Sequence, residues 1–144
     1  MYERILHPTD GSEGSMAAAD HAIELATHHG AALHTVYAVN PNVGPEAGVV
    51  GALEALEEAG REATEAVVER AEAAGVGTVE GSVASGRPYR VILDAVDDHD
   101  VDLVVMGTHG RTGLDRYLLG SVAEKVVRTC PVPVLTVRSP DEVE

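Results

Sequence analysis

Residues 102–128 read DLVVMGTHGRTGLDRYLLGSVAEKVVR. Leu103-Val104-Val105-Met106 is a short, continuous apolar run. Such a run predicts a strand covered on both faces, as in a parallel sheet flanked by helices. The segment from Gly107 to Gly113 is a glycine-rich loop. Leu119 to Arg128 then predicts a helix, with Leu119, Val122, Ala123, Val126 and Val127 recurring at inward spacings.

The same alternation continues in both directions. Toward the N-terminus, Arg4 to His7 predicts a strand that Pro8-Thr9-Asp10-Gly11-Ser12 interrupts. Ser15 is the expected cap of a helix reaching His29, with Ala18, Ala22, Leu25 and Ala26 inward. Gly30 sits where a left-handed terminal glycine belongs, behind His28 and His29. Ala32 to Val39 predicts a second strand, and Asn40 to Gly51 a loop rich in proline and glycine. A long helix follows from Ala52 to Ala74, with Leu53, Leu56, Gly60, Ala63, Val67 and Ala71 on one face and glutamates on the other. Thr78 to Val83 predicts a third strand, Ser85-Gly86-Arg87-Pro88 a turn, and Tyr89 to Asp98 a helix burying Val91, Ile92, Ala95 and Val96. Beyond the opening stretch, Pro131 and Pro133 bracket the entry to a last strand, Val134 to Val137, placed at a sheet edge where proline is tolerated.

The sum is an α/β chain: one open five-stranded parallel sheet with helices on both faces. Residues 1–144 are expected to form a single domain with a frayed tail from residue 139. Ligands of such sheets lie at the carboxyl ends of the strands, near the point where strand order reverses. The loops after the first and fourth strands are therefore the places to look for chemistry.

Composition narrows the partners. Ten Lys and Arg against 24 Asp and Glu give a net charge of −14, and Lys125 is the one lysine. Such a charge repels nucleic-acid phosphate and anionic lipid. It also opposes compaction, a cost that molar salt removes by shrinking the Debye length to about 3 Å. The composition predicts a protein of a halophile with a salt-rich cytoplasm. Cys130 is alone, so no intrachain disulfide can form, and a reducing cytoplasm fits. No leader or membrane span is expected.

Gly107 and Gly110 allow close backbone approach and positive φ, while Thr108, His109, Arg111 and Thr112 carry donors. Gly120 and Ser121 open the last helix, where free N–H groups and the helix dipole suit a phosphate. Plainer readings stand beside these. The glycines can be turn residues, Ser121 an N-cap, Asp10 a turn or dipole partner, and His109 and Arg111 solvated side chains. A Walker loop is absent, and Gly75-x-Gly77 followed by Gly81 has the wrong spacing and precedes a strand. The acidic stretch from Asp97 to Asp102 reads as a solvated turn, lacking the glycine and glutamate of a calcium loop.

The spacing Gly107-x2-Gly110-x9-Gly120-Ser121 resembles the nucleotide-binding pattern of the universal stress protein family. The opening ILHPTDGS, the Gly86-Arg87-Pro88 turn, DLVVMGTHGRTG, LLGSVAEKVVR and the closing CPVPVLTVR extend the resemblance over almost the whole chain. It implies strand order 3-2-1-4-5 in an adenine-nucleotide alpha-hydrolase-like fold, and ATP with Mg²⁺ or Mn²⁺. By the same resemblance, Pro8, Thr9 and Asp10 lie near the base, ribose and metal–phosphate region, with Asp10 a metal ligand. Val39 offers backbone groups to adenine, and Met106 and Gly107 line the ribose. His109, Gly110 and Arg111 approach the phosphates, which Gly120, Ser121 and Val122 bind. The family also implies a homodimer through the last strand. The expected role is a cytoplasmic nucleotide-dependent regulator or sensor. Slow ATP hydrolysis or nucleotidyl transfer, and a scaffold with a vestigial site, are the alternatives.

Overall fold

The structure is a computed structural model that describes residues 1–40, 51–109 and 119–139. Five parallel strands are β1 (Arg4–Pro8), β2 (Ala32–Val39), β3 (Val79–Ser85), β4 (Leu103–Gly107) and β5 (Val134–Val137). They lie side by side in the order β3-β2-β1-β4-β5. Four helices connect them: α1 (Glu13–His29), α2 (Ala52–Ala73), α3 (Pro88–Asp98) and α4 (Ser121–Thr129). The expected fold class and strand order are those observed.

Because successive strand residues point to opposite faces, the alternation divides the core in two. Ile5, Leu33, Leu103 and Val105 face one way and meet Ala18, Ala22, Ile23 and Ala26 of α1 and Ala71 of α2. Leu6, Val36, Val104 and Met106 face the other way and meet Val91, Ile92, Ala95 and Val96 of α3 and Ala123 and Val126 of α4. Register is fixed by pairings such as Ile5 with Leu33, Ile5 with Leu103, and Val104 with Val134.

Local chemistry sets the helix ends. Ser12, not Ser15, caps α1: its Oγ accepts the Ser15 N–H at 3.2 Å. Ser15 lies one turn inside, buried, and its own hydroxyl donates back to the Ser12 carbonyl at 3.0 Å. Gly30, at φ 66°, ends α1 and donates to the Ala26 carbonyl. The fourth helix starts later than its apolar pattern predicts. Gly120 is its N-cap, Ser121 its first helical residue, and Leu119 precedes it, exposed. Val127 and, in α2, Leu53 are also exposed, although their spacing places them inward. The third strand runs two residues past its expected end, to Ser85.

Candidate functional site

The strand order reverses at β1, so the crevice at the carboxyl ends of β1 and β4 is the place where this fold holds ligands. Two connections meet there. After β1, the Thr9 N–H donates to the Val36 carbonyl at 2.9 Å, and the Thr9 hydroxyl is 3.1 Å from Ser15 Oγ. The same hydroxyl accepts the Gly11 N–H at 3.1 Å, and Asp10 Oδ1 accepts the Ser12 N–H at 2.9 Å. Gly11 has φ 80°, the left-handed conformation a non-glycine residue rarely adopts. The turn is thus held by its own side chains, and it fixes where the Asp10 carboxylate stands.

After β4, the Thr108 N–H donates to the Val137 carbonyl at 3.0 Å. Thr108 Oγ1 and His109 Nδ1 are 3.2 Å apart. The Gly120 N–H donates to the Thr108 carbonyl at 2.7 Å, which pins the start of α4 over the end of β4. Gly120 has an ordinary extended backbone, φ −64° and ψ 159°, so no left-handed geometry requires glycine there. As an N-cap it has no side chain to accept an N–H. The first amides of α4, at Ser121, Val122 and Ala123, have no acceptor within their own helix. The α1 terminus, by contrast, is closed by Ser12.

Gly107 corrects an expectation. Its φ is not positive, and its backbone runs against the first turn of α1. A Cβ there would lie 3.1 Å from the Gly14 carbonyl oxygen, while one on Gly14 would lie 3.3 Å from the His109 carbonyl oxygen. The two glycines therefore let β4 and α1 approach each other. Gly14, inside the first turn of a helix where glycine is costly, was the sequence signal for this contact.

The other expected residues are placed as follows. Pro8 ends β1, and Val39 ends β2, where its carbonyl accepts the Gly86 N–H at 2.9 Å. Met106 is buried against the α3 and α4 side, so it can line a crevice only through its backbone. Ser121 is exposed and Val122 half-buried. Pro8, Thr9, Asp10, Gly107, His109, Gly120 and Ser121 share one end of the sheet. Gly110 and Arg111 lie outside the described residues, as does the loop 41–50.

Two groups were not anticipated. His7, on β1 just below the site, is fully buried, and its Nδ1 donates to the Val105 carbonyl at 3.1 Å. That bond fixes the neutral tautomer and leaves Nε2 as a buried acceptor without a partner. Thr35, its register partner on β2, has a hydroxyl that is also buried and unpartnered. Burial drives the His7 pKa from 6.5 down to about 4, and its bond to Val105 and the charges of Asp10 and Asp20 only partly offset this. At the opposite end of the sheet, His34 stacks on His99 at 4.2 Å between ring centroids, with His34 Nε2 2.9 Å from Ser82 Oγ.

Among the described residues no three His, Cys, Asp or Glu side chains gather in a way that could hold a metal ion, including those of the stretch from Asp97 to Asp102. No described helix is long and apolar enough to cross a membrane.

Comparison with known proteins agrees with the geometry. The universal stress protein family profile matches residues 1–138. Universal stress protein MJ0531 of Methanocaldococcus jannaschii is 42% identical over 144 aligned positions, covering 97% of this chain and 84% of that protein. The solved structure of MJ0577 from the same organism is 30% identical with a TM-score of 0.83, over 96% of each chain. A universal stress protein solved in complex with cAMP is 28% identical with a TM-score of 0.74, over 96% of this chain and 98% of that one. With the match spanning nearly every residue, the chain belongs to the universal stress protein family.

Proposed function

We propose that this protein binds an adenine nucleotide, ATP in the first instance, at the carboxyl ends of β1 and β4, and that occupancy regulates a partner or a conformation. The observation that carries the reading is the start of α4. Gly120 is glycine although its backbone would accept any residue, and it leaves the Ser121, Val122 and Ala123 amides without a side-chain cap. A phosphate supplies the negative charge that such a terminus favours. The chain's net charge of −14 makes a local cradle necessary, because the overall field repels anions. The relative crystallised with cAMP supports the ligand class.

In this reading Gly120, Ser121 and Val122 take the phosphates, together with His109, Gly110 and Arg111. Pro8, Thr9, Asp10, Met106 and Gly107 line the sugar and base region. The Val39 backbone at the end of β2 meets adenine. The Thr9 hydroxyl is committed to Ser15 and Gly11, so its part is to hold the turn that presents Asp10. A divalent cation fits this donor set as a partner of the nucleotide rather than of a protein cage. Mg²⁺ commonly takes one or two carboxylates plus phosphate oxygens, and Asp10 is the carboxylate at hand. When bound, the ion would neutralise phosphate charge. The chain's own residues orient the nucleotide.

The same reading includes a homodimer through β5, whose Leu135 is exposed on a sheet edge. To test the function, protein purified in high KCl is denatured and the released small molecules identified by mass spectrometry. Calorimetric titration with ATP and Mg²⁺ follows on ligand-free protein. ATP or ADP near one per chain, or saturable ATP binding, is expected. An empty protein that also shows no binding heat overturns the reading.

A further inference from the structure

The described cations are unevenly placed, and three of them surround one phenol. Tyr89, in the first turn of α3, packs the base of its ring against the core shared by α3 and α4. Lys125 of α4 puts its ammonium 4.4 Å from the ring centroid, and the Arg90 guanidinium lies 5.7 Å from it. Arg87, the N-cap residue of α3, stands beside the phenol. Arg90 is partly matched by Asp94 at 3.9 Å, and Arg128, one turn beyond Lys125, pairs with Glu124. Arg87 and Lys125 have no carboxylate partner among the described residues. In an acidic protein, Lys125 on the ring face and Arg87 beside the phenol form a local positive site.

Its position ties it to the nucleotide. Ser121 and Lys125 are four residues apart on α4, hence on one face and about 6 Å apart along the axis. Helical side chains lean toward the N-terminus, so Lys125 reaches back over the turn that begins with Ser121. Among the described residues, Lys125 is the cation one turn beyond a phosphate held at the Ser121 amide, and Tyr89 and Arg87 stand beside it.

We propose that Arg87, Tyr89 and Lys125 form an anion clamp that reads the length of the phosphate chain, favouring nucleoside triphosphates over monophosphates. The clamp rests on the nucleotide reading above and deepens it: the α4 amides hold the first phosphate of any nucleotide, and the clamp engages only the distal ones. Tyr89 serves as the platform. Its ring holds Lys125 by cation–π attraction, and its oxygen orients the Arg87 guanidinium. The phenol itself registers the local potential, since the neighbouring Arg87 guanidinium and then the Lys125 charge hold its pKa below the ordinary tyrosine value.

The test is calorimetric titration of AMP, ADP and ATP, each with Mg²⁺ at one fixed KCl concentration, into the wild-type protein, Arg87→Gln and Lys125→Gln. Melting temperatures establish that both variants are folded. In each variant ATP affinity should fall about tenfold and AMP affinity less than twofold, with ADP between. Tyr89→Phe, which keeps the ring and loses the oxygen, should fall less than Arg87→Gln. Equal losses for AMP and ATP, or no loss for ATP, overturn the clamp while leaving the nucleotide site standing. Failure of the wild type to bind any of the three nucleotides removes the nucleotide reading itself, and the clamp with it.

Discussion

The helices on the two sides of the sheet bring different side chains to it. On the α1 and α2 side the helices present mainly small residues to Ile5, Leu33, Leu103 and Val105 of the sheet: Ala18, Ala19, Ala22, Ala26 and Ala71 are buried there, and glycines stand at its closest approaches. A Cβ on Gly60 of α2 would lie 2.7 Å from the ring of buried Tyr37, and one on Gly81 of β3 would lie 3.1 Å from Thr64 Cβ. The α3 and α4 side is filled instead by branched and long chains: Leu6, Val36, Val91, Ile92, Val104 and Met106. One side achieves its packing by bringing backbones together, the other by filling volume. The first is sensitive to added atoms and the second to removed ones. The outer surfaces differ too. On α2, seven glutamates face Arg61 and Arg70. On α3 with its cap residue and α4, four cations and four carboxylates balance.

The largest effect expected from this contrast is Leu6→Ala on the volume-filled side. Leu6 is fully buried, so the change should cost about 4 kcal/mol, read by denaturant unfolding. A cost under about 1 kcal/mol would mean that this side repacks freely, and the distinction between the two sides would fail.

Next comes the acid response of the close-packed side. The unfolded chain takes up a proton at His7 near pH 6.5, whereas the folded chain resists until about pH 4. Stability from this group is therefore intact above pH 6.5 and lost progressively as the pH falls from there to about 4. The whole loss is about 3 kcal/mol. His34, half-buried and next to His99, has its pKa lowered in the same direction and adds to the slope. His7→Gln should flatten most of the dependence between pH 6.5 and 4. An unchanged slope in that variant would assign the acid response to the carboxylates instead.

Gly60→Ala should destabilise by about 1–2 kcal/mol. The gain in helix propensity, close to 1 kcal/mol, is outweighed by overpacking against Tyr37. An increase in stability would show that α2 can lift off the sheet without cost. The smallest effect concerns charge. On dilution from molar to low KCl, amide hydrogen exchange should accelerate more in α2 than in α3 or α4, because screening of the glutamate ridge is lost. Uniform acceleration, or none, would argue against salt adaptation seated in α2.

Much of this architecture was legible in the sequence, because hydrophobic period reports the face of an element directly. The inward sets Val91, Ile92, Ala95, Val96 and Ala18, Ala22, Ala26 are buried as the spacing predicts. Period alone does not settle burial at the margins of a face: Leu53, Leu119 and Val127 are exposed. Ser12 and Ser15 both suit a cap, and only the Asp10–Ser12 turn geometry chooses between them. The glycine pattern points to the carboxyl ends of β1 and β4, but Gly107 serves the contact with α1. His7 passed unremarked because a single polar residue inside an apolar strand leaves the period intact. The Arg87, Tyr89 and Lys125 grouping joins two helices more than thirty residues apart in sequence, and only the packing of α3 on α4 brings it together.

In the proposed function a nucleotide sits where β1 and β4 end, against the start of α4, which has no side-chain cap. The most direct measurement is an amide chemical-shift titration with ATP and Mg²⁺. Saturable shifts are expected at Asp10, Ser121, Val122 and Ala123, with little change at His34 and His99 on the far end of the sheet. Shifts centred on that far end, or a saturating titration that leaves the α4 amides unmoved, would contradict the proposed function.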